Sequence, residues 1–206
     1  MMKKTLTIIL ISLIILTTFT AAFAQQTEEK ISINMNSLKG IIYRKTDQGF
    51  FEFFRVQVWT RLLDNATISQ GETIKTAPDS FLSLSIGDNN KVELEEETIL
   101  KIGDNITPKA QKLNVKKGRV IINTNINPEQ EFNIEIETPE SIIKTSHAIL
   151  KVEVNDYRTL LFIEEGEVTL TEKTTLQEVN LTETQIAIVE NNEIKKYQPM
   201  QNQQTE

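Results

Sequence analysis

The chain has 206 residues, 22 lysines and arginines against 29 acids, one histidine and no cysteine. That length suffices for one hydrophobic core, and the missing cysteines exclude a disulfide framework, so apolar burial must hold the fold. The net charge of −7 works against phosphate-rich partners and excludes nucleic acid and anionic lipid surfaces as expected ligands.

Met1-Met2-Lys3-Lys4 leads into an apolar run from Leu6 to Phe23 with no charge before Glu28, and Ala22-Phe23-Ala24 precedes Gln25-Gln26. A basic start, an apolar middle and a small-residue site spell a secretory signal peptide over residues 1–24, with cleavage expected after Ala24. Retention as an anchor is the alternative, because the run approaches the roughly 20 residues that span a bilayer. Either way the working part is expected outside the cytoplasm, periplasmic or secreted, and no membrane insertion is expected once the peptide is cleaved. Cleavage removes two lysines and no acid, moving the net charge from −7 to −9.

Residues 25–37 read as a polar leader and 199–206 as a Gln-rich disordered tail. Between them the dominant pattern is strict alternation, which puts every second side chain on one face of a strand. Leu82, Leu84 and Ile86 alternate with serines, Gly87-Asp88-Asn89-Asn90 makes a turn, and Val92 and Leu94 continue on a second strand, a predicted hairpin. Phe132, Ile134 and Ile136, then Leu150, Val152 and Val154, repeat the pattern. Shorter runs are Leu113 to Ile122, broken by Gly118, Leu160 to Leu170, broken by Gly166, and Val179 to Val189. Those two glycines are expected to mark tight turns or bulges. No long window carries helical spacing with a cap. The fold class expected is all-β, an antiparallel sandwich or roll of many short strands, with a β-solenoid-like stack as the alternative.

Phe50-Phe51-Glu52-Phe53-Phe54-Arg55-Val56-Gln57-Val58-Trp59 stands out because both faces of a strand here would be apolar at one end. Two readings follow. The segment is a strand buried on both sides, or Phe51, Phe53 and Trp59 form an exposed partner patch.

Few residues invite chemistry. His147 has no cysteine to share a zinc site with. Glu95-Glu96-Glu97 puts neighbouring carboxylates on opposite faces of a strand, whereas a glycosidase needs two facing one cleft, so a solvated turn is the expected role. Nothing like G-x-S-x-G or a glycine-rich phosphate loop occurs. The expectation is no catalytic residues, no cofactor and no metal.

From Leu38 to Gln198 the order of short steps resembles the FecR-like domain family. The first block joins Gly40-Ile41-Ile42, Trp59-Thr60-Arg61-Leu62 and Ile68 to Ser80, with its Gly71-Glu72 turn and Ile74-Lys75-Thr76 step. The second is the Gly87-to-Leu94 hairpin followed by Thr98-Ile99-Leu100. The third joins Leu113 to Val120, Phe132 to Pro139, and Leu160 to Val168. Three departures stand out. Asn89 and Ser146-His147 replace usual glycine positions, and Glu183-Thr184-Gln185 replaces a small-Gly-Gln turn.

The resemblance implies a β-strand domain which, in the best-known members, senses the state of an outer-membrane transporter and passes it to a sigma factor. Those members have a cytoplasmic helical segment that this sequence lacks, so direct sigma-factor regulation is not expected. The expected function is a non-enzymatic recognition or sensing module of the bacterial cell envelope, its partner an envelope protein or a cell-wall or surface polymer. A self-assembling structural protein is the alternative, and a carboxylate-based hydrolase a more distant one.

Overall fold

The computed structural model describes residues 31–198 other than 52–53, 65, 88–89, 105, 108–109 and 125–132. Fourteen strands follow in order: β1 Ile33–Lys39, β2 Ile42–Phe51, β3 Phe54–Arg61, β4 Thr73–Thr76, β5 Phe81–Ile86, β6 Asn90–Leu94, β7 Ile99–Ile102, β8 Ala110–Thr124, β9 Asn133–Glu137, β10 Ser141–Val154, β11 Thr159–Glu172, β12 Glu178–Thr182, β13 Ile186–Glu190 and β14 Glu193–Tyr197. The described chain is all-β, as the alternation predicted.

One hydrogen-bonded sheet holds every strand, in the order β14-β13-β11-β10-β9-β8-β7-β4-β2-β3, with β12 added to β11 and a branch β8-β6-β5-β1. All pairings are antiparallel except β8–β9, which is parallel, so the sheet is mixed and not closed.

The branching arises because three long strands change neighbours midway. The first half of β8 pairs with β7 and the second with β6. β10 passes from β9 to β8, and β11 from β13 to β12. The halves therefore belong to two layers. One contains β1, β5, β6, β13, β14 and the adjoining halves of the long strands; the other contains β2, β3, β4, β7, β9, β12 and the remaining halves. Leu84, Val92, Ile122 and Val152 from the first layer, and Ile74, Leu100, Ile136 and Leu170 from the second, share one fully buried cluster. Burying each such side chain stabilises by about 1.5–3 kcal/mol.

Folding one sheet back on itself requires corners, and the sequence supplies a repeated device for them. Gly118 in β8 and Gly166 in β11 hold φ of 92° and 90°, angles that side chains disfavour. Beside each corner a hydroxyl from an adjacent strand, or from the residue just before one, clips the backbone of the next residue. Thr98 Oγ1 accepts from Arg119 N at 2.9 Å and donates to Arg119 O at 3.0 Å. Thr145 Oγ1 donates to Glu167 O at 2.7 Å. Ser80 repeats the arrangement for Gly40, accepting from Ile41 N at 2.9 Å.

The corner of β10 lacks glycine, because Ser146-His147 occupies it. The strand instead shifts register between Lys144 and His147, and Thr124 Oγ1 clips Ala148 through both its N–H, at 2.6 Å, and its carbonyl, at 3.0 Å. The Gly118 and Gly166 breaks are thus bends within continuous strands. Late in the chain Thr184 takes φ 65° where the glycine of the resemblance would stand, and Gln185 Oε1 caps that turn by accepting from Thr182 N at 2.9 Å.

Two expectations change. Ile33 to Ser37 fell in the polar leader by sequence, yet they belong to β1, with Ile33 buried against the core and paired to Ile86. The cause of the miss is the short apolar signal, only Ile33 and Met35 among asparagines. The Phe50–Trp59 run is two strands: Phe51 pairs with Phe54, so the chain reverses between them. Asn89 lies outside the described residues.

Candidate recognition surface

Among the described residues β1, β3, β12 and β14 each pair with one strand, leaving four edges unpaired. The β3 edge differs from the others in how far it extends. β2 pairs with β4 only through Ile42, Tyr43 and Arg44, whereas its ladder with β3 continues from Tyr43–Arg61 out to Phe51–Phe54. From Lys45 onward β2 and β3 form a two-stranded ribbon that extends beyond the sheet. At about 3.3 Å per residue, seven residues reach roughly 23 Å.

Threonines tie the ribbon's base: Thr46 and Thr60 hydroxyls lie 3.4 Å apart, and Thr60 Oγ1 donates to Arg44 O at 3.4 Å. Trp59 is 40% exposed and pairs with Lys45 near that base. Phe51 is the last residue of β2, and Phe53 lies outside the described residues. Of the predicted patch, Trp59 is therefore at the surface, and Phe51 is set apart from it along the ribbon. An isolated two-stranded ribbon is marginal in water, and β3 has eight residues with no proline, its charges confined to Arg55 and Arg61 near its ends.

The other candidates have structural roles. Glu95 accepts from Arg119 at 2.6 Å and Lys151 at 3.0 Å. Burial pushes its carboxyl up, but those hydrogen bonds and charges outweigh burial and hold it below the ordinary value. It is fixed as an anion and is unsuited to act as a general acid. Glu96 accepts from Asp79 N at 2.9 Å, and Glu97 takes φ 54° in the turn. His147 is exposed on β10 opposite Glu167. Among the described residues no three His, Asp or Glu groups are placed to hold a metal.

Cross-strand ion pairs were invisible in the sequence because register decides them. Glu137, between Lys173 at 2.7 Å and Lys112 at 3.2 Å, is an example. The hydrogen bond from Lys173 pulls its carboxyl down to about 2, against the opposing effect of burial, with Lys112 adding to the pull. A depressed folded-state value stabilises above the unfolded value, near 4.5, and that contribution fades as pH falls from there to about 2. Glu137→Gln is expected to cost about 1 kcal/mol at neutral pH, allowing for solvent screening, and nothing near pH 2. Urea midpoints of parent and variant should converge on acidification; parallel curves would show that the pair is not coupled to folding.

Residues 72–169 match the family described as FecR protein. No curated protein matches the chain. Two crystal structures of a proposed anti-sigma factor from Parabacteroides distasonis share the fold, with TM-scores of 0.53 and sequence identities of 16% and 15%. Each match covers 61% of this chain and 59% of the other, so the likeness spans about three fifths of that protein. The family match runs from the residue before β4 into β11 and takes in the Gly118 and Gly166 corners; the ribbon precedes it. Both threonine-clipped corners, and the bends of β8, β10 and β11, fall within residues 72–169, the stretch that matches the FecR protein family.

Proposed function

We propose that this protein is a non-enzymatic recognition and sensing module of the cell envelope, in which the β2–β3 ribbon engages a protein partner by strand addition at β3. The FecR domain and the fold shared with a proposed anti-sigma factor support a regulatory, signalling role. The lysine pair, apolar run and Ala-Phe-Ala site at the N-terminus support export. Strand addition takes affinity from main-chain hydrogen bonds and specificity from alternate side chains. The observation that carries the reading is the ribbon itself, a paired β3 whose outer edge meets no other strand among the described residues.

In-cell crosslinking tests it, with a photoreactive group at Gln57 on the free edge of the tagged chain, followed by mass spectrometry of the captured species. A reproducible protein partner is expected, with capture falling at least tenfold in a Phe51→Ser, Phe53→Ser variant that retains the parent's thermal stability. Crosslinks only to other copies of the chain would favour the self-assembling alternative. Unfolding of the variant would show that the aromatics serve the core. The same samples test export: the mature chain should begin at Gln25.

A further inference from the structure

Charge is distributed unevenly over the outer face of the second layer. Around β8, β9 and β10 cations meet acids: Lys112 lies 2.9 Å from Glu135, and Lys173 2.7 Å from Glu137. Across β3, β2, β4 and β7 the matching is incomplete. There Lys45, Lys101 and Lys116 line one cleft of about 450 Å³ with Gln57, Gln70 and Thr73.

Register explains why residues so far apart in sequence meet. Arg44 is opposite Ile74, so Lys45, the next residue, lies beside Thr73, and Thr73 is opposite Lys101. Lys101 in turn faces Asn114 on β8, and Lys116 follows on the same face. The intervening Ile74, Leu100 and Val115 turn inward and are fully buried. Glu72 helps form the wall, but alternation places it opposite Ile102 on the inner side, where it lies 3.7 Å from Arg44. Lys116 has no acid partner among the described residues.

Two further features define what the cleft suits. The Asp104 carboxylate, 68% exposed, accepts from Lys101 Nζ at 2.9 Å and lies directly over Gly71, where a Cβ would come within 2.4 Å of Oδ1. Lys101 thus already answers one carboxylate beside the cleft, in space that the missing side chain of Gly71 leaves open. Trp59, the cross-strand partner of Lys45, shares the outer face and is 40% exposed. Cations in one concave site repel each other and concentrate anions, and an exposed indole offers an apolar plane to a ring.

We propose that this cleft binds an acidic sugar unit, a uronic acid or a sugar phosphate, with Lys45, Lys101 and Lys116 around the anionic group and Trp59 stacked on the ring. The unit is either a free small molecule or the repeat of an acidic glycan. Net charge argued against anionic ligands, but the fold gathers cations from three strands onto one patch of an acidic chain. The site lies on the ribbon's base, away from Phe51, and its failure would leave the protein-partner reading untouched.

Trp59 is the sole tryptophan, so its emission reports binding directly. The full mature chain would be titrated with galacturonic acid, tetragalacturonate, glucose 6-phosphate and neutral maltotetraose. A saturable change with an acidic probe and none with maltotetraose is expected, weakened at least tenfold by Lys101→Gln with Lys116→Gln and unaffected by Lys195→Gln. Tighter binding of the tetramer than of the monomer would identify a glycan; equal affinity would identify a free ligand. No saturable change at millimolar probe, an equal response in the double variant, or a matching response to polyglutamate would overturn the proposal, the last pointing to an acidic protein segment. Circular dichroism of the double variant confirms that its fold is intact.

Discussion

Alanine at Gly166 is expected to destabilise the protein by about 3–5 kcal/mol, a large share of the 5–15 kcal/mol that holds a typical domain. Two costs add. The residue sits at φ 90°, where a side chain costs about 1–3 kcal/mol. A Cβ there would also lie 2.2 Å from His147 O and 2.9 Å from Ala148 Cα. Those are backbone atoms in a paired strand, and overpacking against such neighbours costs about 1–3 kcal/mol more. Gly71 is the control: its φ is similar, at 81°, but the atom in the way is the end of the exposed Asp104 side chain, so Gly71→Ala should cost about 1–2 kcal/mol. Urea denaturation of both variants measures the difference. If Gly166→Ala melts within about 1 kcal/mol of the parent, the corner is not held as described.

Thr98→Val is expected to cost about 1–3 kcal/mol, although it changes little volume and removes no charge. Thr98 is fully buried, and its hydroxyl serves both the N–H and the carbonyl of Arg119 beside the Gly118 corner. Valine would leave the Arg119 N–H without this partner, at about 1–3 kcal/mol, whereas the Arg119 carbonyl still accepts from Glu95 N at 3.0 Å. Thr98→Ser retains the oxygen and should lose about 1 kcal/mol or less, for one methyl group. Equal losses in valine and serine variants would attribute the effect to packing alone. Thr76 extends the chain, accepting from Thr98 N at 2.8 Å and donating to Glu95 O at 2.6 Å. Through Glu95 that corner is joined to the ion pairs with Arg119 and Lys151.

Local pattern made much of this fold legible. The β5–β6 hairpin has Leu84 opposite Val92, as alternation across a turn requires. Leu150, Val152 and Val154 face inward as predicted, because period two assigns faces without reference to any partner strand. The aromatic segment was harder. Phe50 to Trp59 obeys alternation as one strand, and nothing local distinguishes that from a reversal between Phe51 and Phe54. The reversal is nonetheless what creates a ribbon with a free edge. Glu95–Glu97 lie together in one turn, and His147 lies on an exposed stretch of β10 opposite Glu167.

The sequence alone determined the all-β class, the inward faces, and the glycines that set the chain's unusual backbone angles, because each follows from neighbours a few residues apart. Tertiary structure decided the rest. Which threonine clips which corner, which acid answers which lysine, and which cations remain unanswered around Trp59 all depend on register between strands far apart in sequence. A shift of one residue would exchange the two faces of a strand and separate every such group.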